Sequence, residues 1–480
     1  MKKAFFINIV ILLAANLMIK PLYVFGIDRT VQNIVGSEIY GIYITLFSLT
    51  MLFQIVSDFG IRYLNNRDIA QHQQLFKKYF SNLLVLKGIQ AVAFTGICYL
   101  TAYFLGYDRY YVSLLSIMIV AQLLGDFILY LRSNVSGLQY YLQDSLLSIS
   151  DKLLMIIFCG ILIFKNPFDA PFQIEWLVYA QILASTITVI FSLFVIRKHL
   201  KGIRFKFNLP FLIVILKRTW SYALAVFLMS VYFRMDVIIM ERILPDGANE
   251  NGIYYQAYRL ISAMNMIGVL FSGLLFPMFA RLLKEKKPIG DLLAFSFQFL
   301  YAMLIVASVN IMFFSEPIMV TLYDEGNAYS GQILALLIIS FIGTGSSYIF
   351  GSLLTANENL KELNIFYFTT MVLNIIFNFI FISQYKALGA AGVTLFTQFF
   401  VLFGLIFLTV RNFEISFNIR LIIRVILFTI SVIISSYFVL NWITLDWITQ
   451  LGLATGIGII LSFLFKLIDI KGIIQIMKER

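Results

Sequence analysis

Several charged residues interrupt runs of this chain that are otherwise apolar, and they are the side chains best able to do chemistry: Lys20, Lys87, Arg234 and Arg259 among the cations, Asp58, Asp126 and Asp236 among the acids. A charge at the centre of a bilayer costs roughly 2.5–3.5 kcal/mol on translocon scales, so a charge inside a span is expected to face a cavity or a partner. Counting at 1.5 Å per residue from helix ends expected near 243 and 252 puts Arg234 about 13 Å and Arg259 about 10 Å from those ends. Lys20, about seven residues before the expected end of the first helix, reaches a comparable level. Cations gathered at one depth bind an anionic group, and a diphosphate suits both an arginine fork and a lysine point charge. A buried carboxylate can carry a proton or, among oxygen neighbours, hold Na⁺, which makes Asp126, Asp58 and Asp236 candidates for ion coupling.

Each residue also has a simpler expected role. Lys20 and Lys87 can snorkel to an interface, and that is the expectation for Lys87. Arg234 can pair with Asp236 or with Glu241. Asp58, in Ser57-Asp58-Phe59-Gly60, stands where a helix end is expected, whereas Asp126, in Leu124-Gly125-Asp126-Phe127, is deeper. Arg259 has Tyr255 and Tyr258 beside it and no acid close in sequence.

The elements that must hold these residues follow from composition. Hydrophobic residues make up 60% of 480 positions and charged ones 13%. A hydrocarbon core about 30 Å thick takes roughly 20 apolar residues as helix, and lipid admits only structures that satisfy their own backbone. Apolar stretches fall at about 4–27, 39–60, 80–104, 111–131, 147–164, 176–196, 219–243, 252–279, 292–314, 330–354, 364–384, 389–410, 421–441 and 447–468. The fold class is therefore all-α and polytopic, with roughly fourteen transmembrane helices. The first run continues past Ala14-Ala15 without a small-x-small cleavage site, and is expected to stay as a helix rather than leave as a signal peptide.

Lysine and arginine crowd one set of loops, while the other set holds only Arg29, Arg109, Lys165, Arg242 and Lys386. By the positive-inside rule both termini are cytoplasmic. That rule also accounts for the formal net charge of +11, so nucleic acid is not an expected partner. The basic stretch from Arg197 to Arg218 is instead expected to lie against lipid headgroups. Cys98 and Cys159 read as packing residues, and His72 and His199 build no metal motif, so neither a disulfide nor a metal or other cofactor is expected. No Gly-x-x-x-x-Gly-Lys-Ser/Thr loop is present for ATP.

The chain carries a sign of internal repetition. Gly41-Ile42-Tyr43 opens the expected second helix and Gly252-Ile253-Tyr254 the eighth, the same place in each block of six. Parallel repeats of six helices mark transporters, with the substrate path at their interface. The expected division is a lobe over 1–200, a second over 201–415, and two additional helices over 416–480. No segment reads as an extramembrane domain.

These residues also match a known pattern. Gly36-Ser-Glu-Ile-Tyr-Gly-Ile-Tyr43, Ser57-Asp-Phe-Gly-Ile61 and Asn66-Arg-Asp-Ile-Ala70 resemble the opening of the polysaccharide transporters, the Wzx-like O-antigen and capsule flippases. Arg234-Met-Asp236 with Gly252-Ile-Tyr-Tyr-Gln-Ala-Tyr-Arg259 is similar to their helix seven to eight region, and Asn374-Ile-Ile-Phe-Asn378 with Leu388-Gly-Ala-Ala-Gly-Val393 to a later helix. The resemblance implies membership of the multidrug/oligosaccharidyl-lipid/polysaccharide exporter superfamily, with two six-helix lobes in a V and two C-terminal helices. It implies alternating access for an undecaprenyl-diphosphate-linked oligosaccharide, driven by an H⁺ or Na⁺ gradient, in a bacterial cytoplasmic membrane, with no covalent chemistry. Arg259, Arg234, Lys20 and Arg29 are then the diphosphate-binding candidates, membrane lipids surround the protein, and a polysaccharide polymerase is a possible partner. A lipid II flippase, a drug/cation antiporter, and from another class an integral-membrane polymerase or glycosyltransferase stay open as alternatives.

Overall fold

The computed structural model describes residues 18–202, 208–413 and 419–468, with helices throughout and no strand among them. The beginning of the expected 4–27 span, Arg204 and Lys206 of the basic linker, and the cationic tail from 469 lie outside the described residues. Among the described residues, twelve helices are long and apolar enough to cross a membrane. The two longest, Met18–Asp58 with 41 residues and Leu360–Phe413 with 54, amount to about 60 and 80 Å of helix against a core of about 30 Å. Each is broken once, at Gly36 (φ 80°, ψ 165°) and at Lys386 (φ 52°, ψ −133°). The second is plainly a hairpin, because Asn374 Nδ2 donates to Thr397 Oγ1 at 3.0 Å and Asn359 Nδ2 to Asn412 Oδ1 at 3.0 Å across it. Counting both limbs of each gives fourteen candidate crossings among the described residues, the expected number.

In chain order the helices are α1 (Arg29–Asp58), entered through a π-helical turn at Tyr23–Asp28, α2 (Ile61–Gln71), α3 (Phe76–Phe104), α4 (Arg109–Gly137), α5 (Tyr141–Phe164), α6 (Ile174–Leu200), α7 (Leu209–Ile243), α8 (Gly247–Lys284), α9 (Gly290–Phe313), α10 (Ser315–Leu322), α11 (Ala328–Ala356), α12 (Leu360–Phe413), α13 (Ile419–Trp442) and α14 (Trp447–Leu464). The chain divides into two compact units, Met1–Gly252 and Ile253–Arg480. In the first, α1 packs on α3, α4 and α7, and α4 on α6. In the second, α11 packs on both α12 and α9, and α13 pairs with α14.

Side-chain caps start several helices where the sequence breaks. Asp108 accepts from the Tyr111 amide at 2.9 Å, Asn208 from Phe211 at 3.1 Å ahead of Pro210, and Asn327 forms a capping box with Ser330. Asp446 caps α14, and bonds from the Thr449 hydroxyl and amide hold its carboxyl below the usual carboxylate range. Two elements were not legible as spans. α2 is turned off α1 by left-handed Phe59 and Gly60 (φ 49° and 71°), and it buries Ile61, Leu64 and Ile69 in the core beneath Phe76 and Tyr130. α10 is a short helix in a break between two spans.

Large apolar side chains such as Phe191, Phe194, Phe403, Phe407 and Ile434 are exposed, as lipid-facing positions must be. Polar side chains such as Asn310 and Ser436 are instead paired inside. Asn310 donates to the Val306 carbonyl at 2.7 Å and accepts from Ser436 Oγ at 2.8 Å, tying α9 to α13. Ser436→Ala is expected to lower unfolding stability by about 0.6–1.7 kcal/mol, read as a fall in melting temperature in detergent, and an unchanged melt would show that the tie carries no load.

Candidate functional site

The first unit holds most of the charged candidates. Helix continues through Asp28 and Arg29 to the break at Gly36, so the expected loop there is a correction: Arg29 lies about two turns inside the helix, half-buried. The physical reason is that Asp28, 1% exposed, is satisfied by the Tyr40 hydroxyl at 2.9 Å and has no need of water. For the same reason Lys20 is not near the C-terminal end of this helical limb. It stands about 24 Å of helix before Gly36, and its electrostatic neighbours are Asp151, Lys152 and Arg132. The expected common level of Lys20 with Arg234 is thus not what the helix lengths give. The ammonium of neighbouring Lys152 lies 4.8 Å from the Tyr23 ring.

Arg234, about 14 Å before the end of α7, places its guanidinium 5.7 Å from the Phe47 ring. Phe47 continues a ladder of aromatic rings on α1, with Tyr40 and Tyr43 at 5.7 Å and Tyr43 and Phe47 stacked at 6.1 Å. Asp236 is 3% exposed and accepts from the Val237 amide at 2.8 Å. Glu241 is paired with Arg242 at 2.9 Å. Arg242 covers the Tyr107 ring at 4.4 Å, while burial and then Glu241 push the Tyr107 phenol up.

Asp58 and Asp126, which had no identifiable partner in sequence, belong to one buried network. Asp126, 4% exposed, accepts from Gln54 Nε2 at 2.7 Å and from the Ser57 hydroxyl. Asp58 takes Arg62 at 3.3 Å and Lys87 at 3.5 Å, and Lys87 also donates to the Ser57 carbonyl at 2.6 Å. Lys87 was expected to snorkel. It is 8% exposed and turned inward, because the Asp58 carboxylate and the Ser57 carbonyl at the end of α1 offer it more than a distant interface does.

The repeated Gly-Ile-Tyr segments meet. A Cβ on Gly41 would fall 1.7 Å from the Ala248 carbonyl oxygen, and one on Gly252 would fall 2.0 Å from that of Ser37. Only glycine at both places lets the two backbones approach this closely. Around the contact, Gln32 Nε2 donates to the Gly252 carbonyl at 3.0 Å, and Asn251 Nδ2 to Thr45 Oγ1 and to the Val237 carbonyl, each at 2.9 Å.

In the second unit, Arg259 is carried by α8. That helix begins at Gly247, not near 252, so Arg259 lies about 18 Å from its start. Its guanidinium is 5.0 Å from the Tyr255 ring, and Tyr258 stands 5.1 Å from Tyr255 and 6.0 Å from Tyr254. Each unit therefore has a half-buried guanidinium against a row of aromatic rings, Arg234 with Phe47 in one and Arg259 with Tyr255 in the other. The sequence reading found both arginines and Lys87, to which it gave a snorkelling role, and missed Phe47 and Gln54. The i, i+3, i+7 spacing of Tyr40, Tyr43 and Phe47 was the signal for the first; nothing local marked the second.

A family profile described as polysaccharide biosynthesis protein matches residues 6–283. No curated protein matches. Among solved structures, the chain is similar to the lipid II flippase MurJ in an inward closed conformation, with TM-score 0.70, 15% identity, and 96% of this chain and 98% of that one covered. It is similar to an inward-facing multidrug resistance MATE family transporter of the MOP superfamily, with TM-score 0.64, 14% identity, and coverage of 84% and 97%. A MOP superfamily transporter from Pyrococcus furiosus follows at TM-score 0.57, 13% identity, and coverage of 85% and 93%. At these identities the likeness is one of fold.

Proposed function

This chain belongs to the polysaccharide biosynthesis protein family, and from that premise we propose that it moves an oligosaccharide linked to undecaprenyl diphosphate across the bacterial cytoplasmic membrane by alternating access, driven by an H⁺ or Na⁺ gradient. Both termini are cytoplasmic in this reading, and a polysaccharide polymerase receives the product. The observation that carries it is the guanidinium laid on aromatic rings in each unit, Arg234 on Phe47 and Arg259 on Tyr255. Guanidinium forks bind diphosphate oxygens, and aromatic faces offer sugar rings an apolar surface with a polar rim. Unaided, a diphosphate and its hydroxyls would each lose their water in hydrocarbon, a cost of several kcal/mol per group. A polar route through protein removes most of that barrier, which is a transport function and needs no covalent step.

The test is flipping in vesicles of a fluorescent N-acetylglucosamine on undecaprenyl diphosphate, followed by quenching of the outer leaflet. Protein-containing vesicles with an imposed gradient are expected to flip the probe at least about tenfold faster than empty ones, and equality with empty vesicles would end this reading. A parallel arm with lipid II separates the nearest alternative substrate. Phe47→Leu, which keeps apolar volume but removes the ring facing Arg234, is expected to slow flipping about 2- to 30-fold, the size of a cation–π contact of roughly 0.5–2 kcal/mol. Phe47→Tyr should stay near wild type; identical rates for both variants would remove the ring from the site.

A further inference from the structure

The network at the end of α1 carries an inference about what drives the cycle, and it rests on the ion-driven reading above. We infer that Asp126, Ser57, Lys87 and Asp58 form the coupling centre and that it takes a proton and excludes sodium, with Lys87 as its resident counter-cation.

The Gln54 amide NH₂ faces Asp126 Oδ1 at 2.7 Å, and the Ser57 hydroxyl donates to Asp126 Oδ2. The Lys87 ammonium lies 3.5 Å from Asp58 Oδ1 and the Arg62 guanidinium 3.3 Å from Asp58 Oδ2. Both Asp126 oxygens thus accept hydrogen bonds, and each Asp58 oxygen has a protein cation within 3.5 Å. A sodium ion needs lone pairs turned toward it, and here it would meet an amide and a hydroxyl donor on Asp126 and two cations, Lys87 and Arg62, that together neutralise the pair.

A proton needs no such cavity. Arriving on Asp126, it bonds to Oδ1 or Oδ2 and turns an acceptor into a donor opposite Gln54 or Ser57. Two donors cannot share that bond. Gln54 can answer by rotating its amide to present the carbonyl, whereas the Ser57 bond must release or reverse. Either change alters the tie between α1, which bears Gln54 and Ser57, and α4, which bears Asp126. At the same moment Lys87 and Arg62 are left with one carboxylate, Asp58, and the buried cluster passes from neutral to a net charge of about +1. Protonation is therefore converted into a change of helix contact and of local charge together.

The groups facing the centre are few. The charges acting on Lys87 are Asp58, Asp126 and Arg62, and those acting on Asp126 are Lys87 and Asp58. α6 packs on α4 and has no acid or base between Glu175 and Arg197; α7 packs on α1 and has none between Arg218 and Arg234. Of the other elements packed on α1 and α4, α2 brings Arg62, Arg67 and Asp68, α3 brings Lys77 and Lys78 besides Lys87, and α5 brings Asp144, Asp151 and Lys152. Asp68 is taken by Arg67 and the Tyr79 hydroxyl, Asp144 by Arg132, and Asp151 by Lys152.

A reporter is built in. Trp220 of α7 lies 5.9 Å from the ring of Phe59, the residue that follows Asp58. The experiment is a pH titration of Trp220 fluorescence in lipid nanodiscs, with Trp176, Trp442 and Trp447 replaced by Phe, in sodium-free buffer and with no lipid-linked sugar present. The expected result is a single transition, the same in NaCl as in KCl, absent in Asp126→Asn, kept in Asp126→Glu and displaced by about one pH unit or more in Lys87→Gln. A transition that needs sodium, or one that persists unchanged in both Asp126→Asn and Lys87→Gln, overturns the proposal. Because no substrate enters this titration, its failure is separate from failure of the flipping assay. In that assay, a proton gradient is expected to accelerate wild type and not Lys87→Gln, and acceleration of Lys87→Gln equal to wild type likewise overturns it.

Discussion

Replacing Gly41 by alanine is expected to abolish export and to lower the melting temperature of the purified protein, because the new Cβ has nowhere to go. It would stand 1.7 Å from the Ala248 carbonyl oxygen, 2.7 Å from that carbonyl carbon and 2.9 Å from the Gly252 nitrogen. All three are backbone atoms, so no rotamer change relieves the clash. The start of α8 must instead back away from α1, and in doing so it gives up the bond from Gln32 to the Gly252 carbonyl and the bond from Asn251 to Thr45. Overpacking alone costs about 1–3 kcal/mol, and each of these bonds adds about 1 kcal/mol. Gly252→Ala should behave alike, since its Cβ would meet the Ser37 carbonyl oxygen at 2.0 Å. Gly96→Ala and Gly160→Ala are the controls, because a Cβ at either has nothing within 4 Å. If Gly41→Ala melts and exports as those controls do, the close approach of the two backbones is not needed.

Arg259→Ala is expected to leave a folded, inserted protein whose export falls by roughly one to two orders of magnitude. The side chain is half-buried against Tyr255, so its removal opens no core cavity, but it takes away a charge-assisted contact of about 1.5–3 kcal/mol to an anionic ligand. That alone is a loss of roughly 10- to 100-fold in flipping. Arg259→Lys separates charge from shape. A lysine keeps the charge but cannot lie flat on the Tyr255 ring or grip two oxygens at once, so its rate should fall between wild type and alanine. Export by Arg259→Ala at the wild-type rate, with normal membrane levels, would withdraw the residue from the diphosphate site.

How far the sequence carried the reading depends on the range of the physics involved. The spans were legible because lipid imposes the same demand on every crossing, a run of apolar side chains long enough to satisfy its backbone within itself. That local rule yielded the number of crossings, the all-helical class, and the presence of Arg234 and Arg259 among residues that ought to be apolar. It misplaced the first turn. Asp28 and Arg29 look like an interface in sequence, yet the Tyr40 hydroxyl accommodates Asp28 inside the helix and the chain waits for Gly36 to bend. Hydropathy passed over α2 for a similar reason, since Ile61, Leu64 and Ile69 form an apolar stripe too sparse to read as a span.

What tertiary structure alone decided are the pairings between residues far apart in the chain. Lys87 lies thirty residues past Ser57 and Asp58, and Gln54 meets Asp126 across a still longer separation; no spacing rule links them, so a lysine that reads as a snorkelling residue became the centre of a buried ion network. Gly-Ile-Tyr at 41 and at 252 was visible as a repeat, but only folding set one glycine against the other's helix. Composition and periodicity report how a helix meets its solvent, whereas the partner of a buried charge or of a bare backbone is chosen by which helices end up side by side.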